Sequence, residues 1–577
     1  MRLDAVTVQV LWNRLVAIVD EAAQGLIRTA YTPSVKEYHD FCCAVFDARA
    51  DMLAHSTVTT AGFLGIVPEV MRNFVRAFPA DTLQPGDVII TNDPWVASGH
   101  LIDISVASPI FHNGKLVGFT LCIVHHLDMG GRMSTLESKD MYEEGLKIPI
   151  MKLYDAGRLN EAVFQFIRAN IRVPEKVLGD LRAQLVANNV CTRGLVAMLE
   201  ETGLHDLGEL GAEITARSER SLRAKIAKLP KGTWRSEVLL PPLPVTGEQV
   251  RIHAALTIAE DQVIIDFAGT SGEVRAAVNC TLNMTRSYSA YPIKLALDPE
   301  VPNNDGCMRA ITIRAPEGCA VNCRPPASTW GRTMISHLLP EVIYGALEQV
   351  LPDAVLGGNG GCPANEMYLH GRRREGGSFL AISQHSGGFG GSVRQDGWPT
   401  LCFPNNTANI PIEVTEREAP IVYRRKEFVT DSPGPGRFRG GPGQEVEFEV
   451  LQADLVGGYV ESSVRLNGRT EGGSFPIGGR AGGRAGRGGG LWVNGEPAEH
   501  GIYRRLHPGD RLRFTLGGGG GYGDPLARDP EAVLADVREG KVSAEAARQD
   551  YGVVLDGAGV AVDVAATQAL RALRQGA

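Results

Sequence analysis

Between Gly99 and Gly131 the chain reads "GHLIDISVASPIFHNGKLVGFTLCIVHHLDMGG" and gathers His100, Asp103, His125, His126 and Asp128 into one short stretch. Two imidazoles with one or two carboxylates form a donor set for a borderline or harder divalent cation such as Zn²⁺ or Mn²⁺. A carboxylate-containing site with an open position activates water or polarises a carbonyl. The same residue types also serve structure. His100 can cap a turn, Asp103 can bond backbone, and the His125-His126 pair can end a strand.

The element that must position them is a hairpin. Asn113-Gly114 sits between two apolar runs, and both positions suit the φ > 0 that a two-residue β-turn requires. An ideal ladder built on that turn pairs His112 with Lys115 and Ile102 with His125, so the histidine pair returns to the level of His100 and Asp103. That register puts Asp103 with His126 on one face and His125 with His100 on the other. Either a bulge near Pro109, which cannot donate to a ladder, or a turn at "GHLID" must bring Asp103 to the side of His125. Spacing alone predicts convergence and leaves the choice among neighbours open.

With 577 residues the chain exceeds one ordinary core, and length suggests roughly three or four domain-sized units. Hydrophobic residues make up 44% and charged residues 21%, the balance of a globular protein rather than a disordered one. A net charge of −8 argues against whole-chain attraction to nucleic acid or an anionic membrane. The first thirty or so residues lack the uninterrupted apolar core of a signal peptide. Instead Val8, Leu11, Leu15, Ile18, Val19, Ala22 and Leu26 recur at helical spacing, with Thr7 as a candidate N-cap. No segment approaches the ~20 apolar residues of a membrane span. Ten scattered cysteines with no C-x-x-C pair read as free thiols, which predicts a cytoplasmic protein.

The predicted fold class is α+β and multidomain. Residues 1–230 form a mixed α/β region carrying the hairpin, 231–525 a β-rich region with substrate and partner loops, and 526–577 a helical tail. The β-rich region is predicted to contain a single helix, around "SHLLPEVIYGALEQVL". The Gly478–Gly490 run, "GGRAGGRAGRGGG", reads as a flexible loop or partner contact rather than an RNA-binding segment, because no aromatic residue is interleaved. "GGGGGYGDP", Gly517–Pro525, lacks the P-loop Lys and reads as a conformationally demanding turn. Arg372-Arg373-Arg374 reads as a solvated turn.

Several blocks together resemble one family. "TNDPWVASGHLIDISVASPIF", "HHLDMGG", "RTAYTPSVKEYHDFCCAVFD", "IRANIRVPEKVLGDLRAQ", "DFAGTSGEVRAAVNCTLNMTRS", "DPEVPNNDGCMRAITIRAPEGCAVN", "DSPGPGRFRGGPG" and "GGGGYGDPLARDPEAVLADVREGKVS" are similar to blocks of the hydantoinase B/oxoprolinase family. The resemblance implies the B-type subunit of an ATP-dependent hydrolase of hydantoins, oxoproline or lactams. An A-type partner of the hydantoinase A family would bind ATP and phosphorylate the substrate's carbonyl oxygen, giving a hetero-oligomer. It also implies a divalent metal, Zn²⁺ or Mn²⁺, on Asp40, His100, Asp103 and His125. His126 and Asp128 would then move protons as catalytic groups or orient the ligands. Glu143 and Glu144 lie near in sequence and receive no role. By the same resemblance, His385–Gly397 and Asn405–Glu416 are pocket or interface loops. Two alternatives stand beside the hydrolase: a subunit of an acetone- or acetophenone-type ketone carboxylase, and a non-catalytic scaffold subunit. The chain departs from the family pattern at Ala97-Ser98 and at Thr329, Trp330 and Arg332; the last three are expected to reshape the substrate pocket.

Overall fold

Helix α1 (Ala5–Thr29) buries Val8, Leu11, Leu15, Ile18, Val19, Ala22 and Leu26, the face that the apolar spacing predicts. Its cap is Asp4 rather than Thr7. The Asp4 carboxylate accepts from the amides of Val6 and Thr7, and the Thr7 hydroxyl donates to the same carboxylate. A computed structural model describes residues 4–133, 135–360, 365–373, 377–451, 460–464 and 477–575, with the side chains of Asn365 and residues 460–464 left out of the description.

The N-terminal region builds a seven-stranded antiparallel sheet from β1 (Phe41–Asp47), β2 (Met52–His55), β3 (Val88–Thr91), β4 (Asp103–His112), β5 (Lys115–His125), β6 (Met151–Asp155) and β7 (Arg158–Leu159). Their spatial order is β2-β1-β5-β4-β3-β6-β7. Short α2 (Pro33–Lys36) leads into β1, and α3 (Ile66–Ala77) follows β2. After the sheet come α4 (Glu161–Asn170), α5 (Pro174–Thr202) and α6 (Gly208–Ile226). The break between α4 and α5 falls at Pro174, which starts the second helix where its missing N–H is harmless.

Alternate residues of β1 and β5 enter two different cores. Cys43, Val45, Cys122 and Val124 pack with α1 and α5, while Cys42, Ala44, Leu121 and Ile123 pack with α3 and the β-rich region. Both faces of these strands are therefore covered, which is why the segment reads as almost continuously apolar.

Beyond α6 the chain forms a four-stranded sheet from β8 (Gly232–Leu239), β9 (Arg251–Ala259), β10 (Gln262–Asp266) and β11 (Ile311–Arg314), with β10 and β11 parallel. The predicted helix is present as Leu339–Leu347. Among the described residues, two further helices of seven residues or more interrupt the β-rich region, α7 (Leu282–Leu297) and Ile412–Glu418. Pro292 inside α7 and its many buried polar and aromatic residues erase the amphipathic pattern that would announce it. Two more sheets follow, of four and five strands. In the first, Asn365–Arg372 lies between Ser378–His385 and Val460–Val464. Helices Pro530–Arg538, Ala544–Tyr551 and Val564–Gln575 form the predicted tail.

The glycine-rich segments are neither a flexible loop nor a strained turn. Residues Gly517–Gly521 run through the middle of a bundle of extended chains. Gly388 donates to Gly517 O, Gly434 to Gly519 O, Gly519 to Gly441 O, Gly520 to Gly358 O and Gly521 to Arg484 O. None of Gly517–Gly521 has positive φ; positive values fall at Gly482 and Gly523. Glycine is required by close approach, since a Cβ on Gly440 would lie 1.8 Å from Gly519 O and one on Gly519 would lie 2.1 Å from Phe389 O. Arg480 of the Gly/Arg run is committed internally to Glu348 and the Leu356 carbonyl. Of the predicted arginine turn, Arg373 donates to Glu418 O and lies over Phe379, and Arg374 falls outside the described residues.

Candidate metal centre

Both devices required by the hairpin are present. Pairing runs His112 with Lys115 and Phe111 with Leu116, then steps to Ile110 with Gly118 and continues to Asp103 with His125. The extra residue is Val117 on the returning strand β5, close to the Pro109–Phe119 pair rather than at the proline itself. That single insertion sets Asp103 directly opposite His125. His100 precedes the strand in a turn entered through Gly99, whose φ of 90° favours glycine. Asp40 arrives from the neighbouring strand. Phe41 pairs with Val124, and the His125 amide donates to Asp40 O, so Asp40 lies beside His125.

The side chains converge accordingly. Ligand atoms of His100, Asp103 and His125 all lie within 4.8 Å of one another, and all three residues are buried. Asp103 Oδ1 is 2.8 Å from His100 Nε2 and 2.9 Å from His125 Nδ1. Asp40 Oδ2 stands 3.8 Å from His125 Nδ1, and its Oδ1 accepts from the Thr60 hydroxyl at 2.8 Å. His100 Nε2 is buried and, despite its closeness to Asp103, makes no well-directed hydrogen bond. Such an imidazole nitrogen facing one carboxylate oxygen and a second imidazole is a donor set that fits a divalent cation.

A second layer fixes these groups. Asp103 Oδ2 accepts from the Ser98 hydroxyl at 2.7 Å and from Arg332 Nη2 at 3.0 Å, which leaves Oδ1 to face the imidazoles. Arg332 also donates from Nε to Ser98 O and places Nη1 2.6 Å from His100 Nδ1. With Nδ1 accepting from Arg332, the neutral ring carries its proton on Nε2. A cation held by Nε2 would require the ring proton on Nδ1, where the Trp330 carbonyl lies at 3.4 Å and from which the Arg332 donor would have to turn aside. His125 Nε2 is 3.1 Å from the Tyr368 hydroxyl. Burial and the neighbouring Arg332 push His100 down to about 3, so its ring is neutral. Burial alone would raise Asp103, but His100, His125 and Arg332 hold its carboxyl well below the usual range. Asp40 is pushed up by burial, more than His125 offsets.

His126 and Asp128 are not brought into the cluster. His126 follows His125 on the opposite face of the sheet. Its Nε2 meets Gln184 Oε1 at 3.0 Å, and the Gln184 amide donates to the Ile104 and Cys122 carbonyls, tying α5 to the hairpin. Asp128 accepts from the Gly130 amide and pairs with Arg172, whose backbone amide also donates to it. Both side chains serve the frame.

Spacing gave no signal for Thr60 or Tyr368. Ser98 and Arg332 stood out as departures from the family pattern; Ser98 proves to hold Asp103, and Arg332 touches two of the three clustered residues. Glu144 is buried and accepts from the Ser328 hydroxyl and from the amides of Thr329 and Trp330, each amide at 2.8 Å. It thereby anchors the loop that delivers Trp330 and Arg332, and burial raises its carboxyl to about 7.

An antiparallel sheet that lends a hairpin's open end to a buried His/Asp/His cluster, roofed by a loop of the following β-rich region, defines an α+β protein with a candidate metal centre. The chain belongs to the hydantoinase B/oxoprolinase family, which it matches over residues 4–525. It is 30% identical, across 96% of each chain, to a Pseudomonas sp. strain NS671 protein that bears the name of a D-/L-hydantoinase B component. The crystal structure of the ATP-dependent caprolactamase of Pseudomonas jessenii shares its fold with a TM-score of 0.88 at 30% identity, covering 99% of this chain and 100% of that one. A nucleotide-free acetone carboxylase has the same fold, with a TM-score of 0.86 at 21% identity over 99% of this chain and 83% of that one.

Proposed function

We propose that this chain is the metal-bearing B-type subunit of an ATP-dependent cyclic amide hydrolase. It would open a hydantoin, oxoproline or lactam ring after an A-type ATPase partner has phosphorylated the ring amide oxygen. The observation that carries this reading is the convergence of His100 Nε2, Asp103 Oδ1 and His125 Nδ1 in one buried cluster. Support also comes from the relatives, whose names are those of hydantoinase and caprolactamase components. A bound Zn²⁺ or Mn²⁺ supplies Lewis acidity and a more acidic water.

The chain's own residues do the rest. Ser98 and Arg332 hold the outer oxygen of Asp103 and so aim its inner one. Tyr368 orients His125. Asp40, whose Oδ2 stands 3.8 Å from His125 Nδ1, would complete the donor set. That cleft, bounded by Asp40, His100, His125 and Arg332, has a volume of about 20 Å³, room for one water. The nine described cysteines are free, which supports a cytoplasmic setting, and no described helix is long and apolar enough to cross a membrane.

Co-expression with a candidate A-type ATPase tests the reading, with ATP hydrolysis screened against hydantoin, 5-oxoproline, caprolactam and acetophenone. Stimulation by a cyclic amide, with ring opening that His100→Ala abolishes, is the expected result. Bicarbonate-dependent consumption of acetophenone would make the chain a carboxylase subunit instead, and no stimulation by any of the four would overturn the enzymatic reading.

A further inference from the structure

The segment that follows β5 carries positive charge as well as the frame of the cluster. Arg132 from that segment, Arg172 between α4 and α5, and Arg504 and Arg505 from the strand Arg504–Leu506 line a cleft of about 480 Å³. The volume is that of a small-molecule site. Against these four arginines stands one carboxylate among the described lining residues, that of Glu137.

The fold holds several of these groups in place. Glu137 Oε2 accepts from the Thr135 hydroxyl at 2.9 Å and from the Tyr503 amide at 3.2 Å. The Tyr503 hydroxyl accepts from the Met133 amide at 3.0 Å, so the segment after β5 is stitched to the residues leading into Arg504. Arg172 is tethered by the buried Asp128 at 3.0 Å and by the Gly131 carbonyl at 2.5 Å. Arg504 donates to the Glu499 carbonyl, and burial draws its guanidinium below its usual range, the direction of a cation whose counter-charge does not offset burial. Arg132 is 56% exposed and stands 3.9 Å from Glu143, a surface pair of little strength.

We infer that this cleft is a phosphate-binding site. A phosphate dianion offers several oxygens to guanidinium forks, which hold it through paired, charge-assisted hydrogen bonds. The cleft adjoins the metal frame. The His370 ring lies 5.7 Å from that of Tyr503, and Tyr368, two residues back on the same face of its strand, meets His125 Nε2 at 3.1 Å. Such a two-residue step is about 7 Å. The use of the site rests on the hydrolase reading: an ATP-consuming hydrolase releases inorganic phosphate, which would find a cationic site close to the cluster and separate from the metal donors. Nucleotide phosphates carry the same chemistry, and the test separates the two sources.

Calorimetric titration of the full-length chain, purified with any partner that accompanies it, tests this at constant ionic strength. The probes are inorganic phosphate, ADP and acetate. Phosphate is expected to bind saturably, and Arg132→Gln, a change at an exposed side chain, should weaken it at least about tenfold. Lys115→Gln, at the turn end of the hairpin, should leave the affinity unchanged, as should removal of metal by a chelator. ADP that displaces phosphate would assign the cleft to nucleotide phosphates, and ADP that does not would assign it to free phosphate; both support the site. Absence of saturable phosphate binding, acetate binding as tight as phosphate, or an unchanged affinity in Arg132→Gln would overturn the inference. Phosphate binding lost on chelation but kept in Arg132→Gln would place the anion on the metal and overturn it too. If phosphate binds through Arg132 but the co-expressed pair opens no cyclic amide, the hydrolase reading fails while the cleft stands. Ring opening by a pair whose B-type chain binds no phosphate does the reverse.

Discussion

Asp103 turns its two oxygens to different tasks: Oδ2 is held by Ser98 and Arg332, and Oδ1 faces His100 and His125. His100→Gln removes the Nε2 donor while roughly keeping volume. The purified variant is expected to hold at least about tenfold less Zn²⁺ or Mn²⁺ by elemental analysis, with unchanged circular dichroism; full metal content would refute the ligand assignment. Glu144 gives a pH prediction. Its carboxyl rises from 4.5 to about 7 in the folded chain because burial outweighs its three close donors. Between those values the unfolded chain loses the proton while the folded chain keeps it, so stability falls as pH rises from 4.5 to about 7, by about 3 kcal/mol. Glu144→Gln keeps the accepting oxygen for Ser328, Thr329 and Trp330 and removes the titration. Urea unfolding at several pH values should show a wild-type decline that the variant lacks; parallel curves would assign the proton elsewhere. At this scale the sequence displayed the donor types but not the partners. Arg332 and Tyr368 reach the cluster from elements far along the chain, and Glu144 acts through a loop with no periodic signal.

Among the elements, the hairpin was the most legible, since Asn113-Gly114 fixes the turn and the turn fixes the level of His125. Face assignment was less so, because one inserted residue reverses it and Val117 has no composition that marks it as the insertion. Helix α7 was hidden by Pro292 and by burial on nearly every side. The glycine bundle was misjudged for a different reason. Runs of glycine suggest flexibility when the chain is considered alone, and here each chain needs glycine because its neighbours do. Gly519→Ala would place a Cβ 2.1 Å from the Phe389 carbonyl, and backbone cannot retreat without breaking its own hydrogen bonds. The expected cost is about 3 kcal/mol or more. Gly557→Ala, which meets nothing within 4 Å, should stay within about 0.5 kcal/mol. Thermal unfolding of the pair makes the comparison, and equal stability would show that the bundle yields.

Over the whole molecule, the metal cluster depends on segments that are distant in sequence being held together, and buried charges do some of that holding. The sheet hairpin supplies the donors and the Ser328–Arg332 loop roofs them. A space of about 500 Å³ beside the cluster takes walls from α3, from α7 and from the loop around Phe403. The C-terminal tail closes onto the glycine bundle through a buried network. Arg528 binds both oxygens of Asp396 at 2.6 and 2.7 Å and one oxygen of Asp536 at 2.7 Å, while Arg439 takes the other Asp536 oxygen at 2.7 Å. Arg528 and Asp536 are each only 4% exposed, so the Asp536 carboxylate does not regain water when the arginine is removed. Arg528→Met should therefore cost about 3 kcal/mol, chiefly from the Asp536 oxygen left without a donor, since Arg439 keeps the other and Asp396 is part-exposed. Because Arg528 O also accepts from Arg571, the loss should loosen the tail before the rest of the chain. Limited proteolysis is expected to cut the variant within residues 526–577 while the hairpin region stays protected. Metal content should remain that of the wild type, since the cluster's described partners all lie outside the tail. Uniform cleavage along the chain, or loss of metal in parallel with the tail, would show that the network holds the whole molecule rather than this one junction.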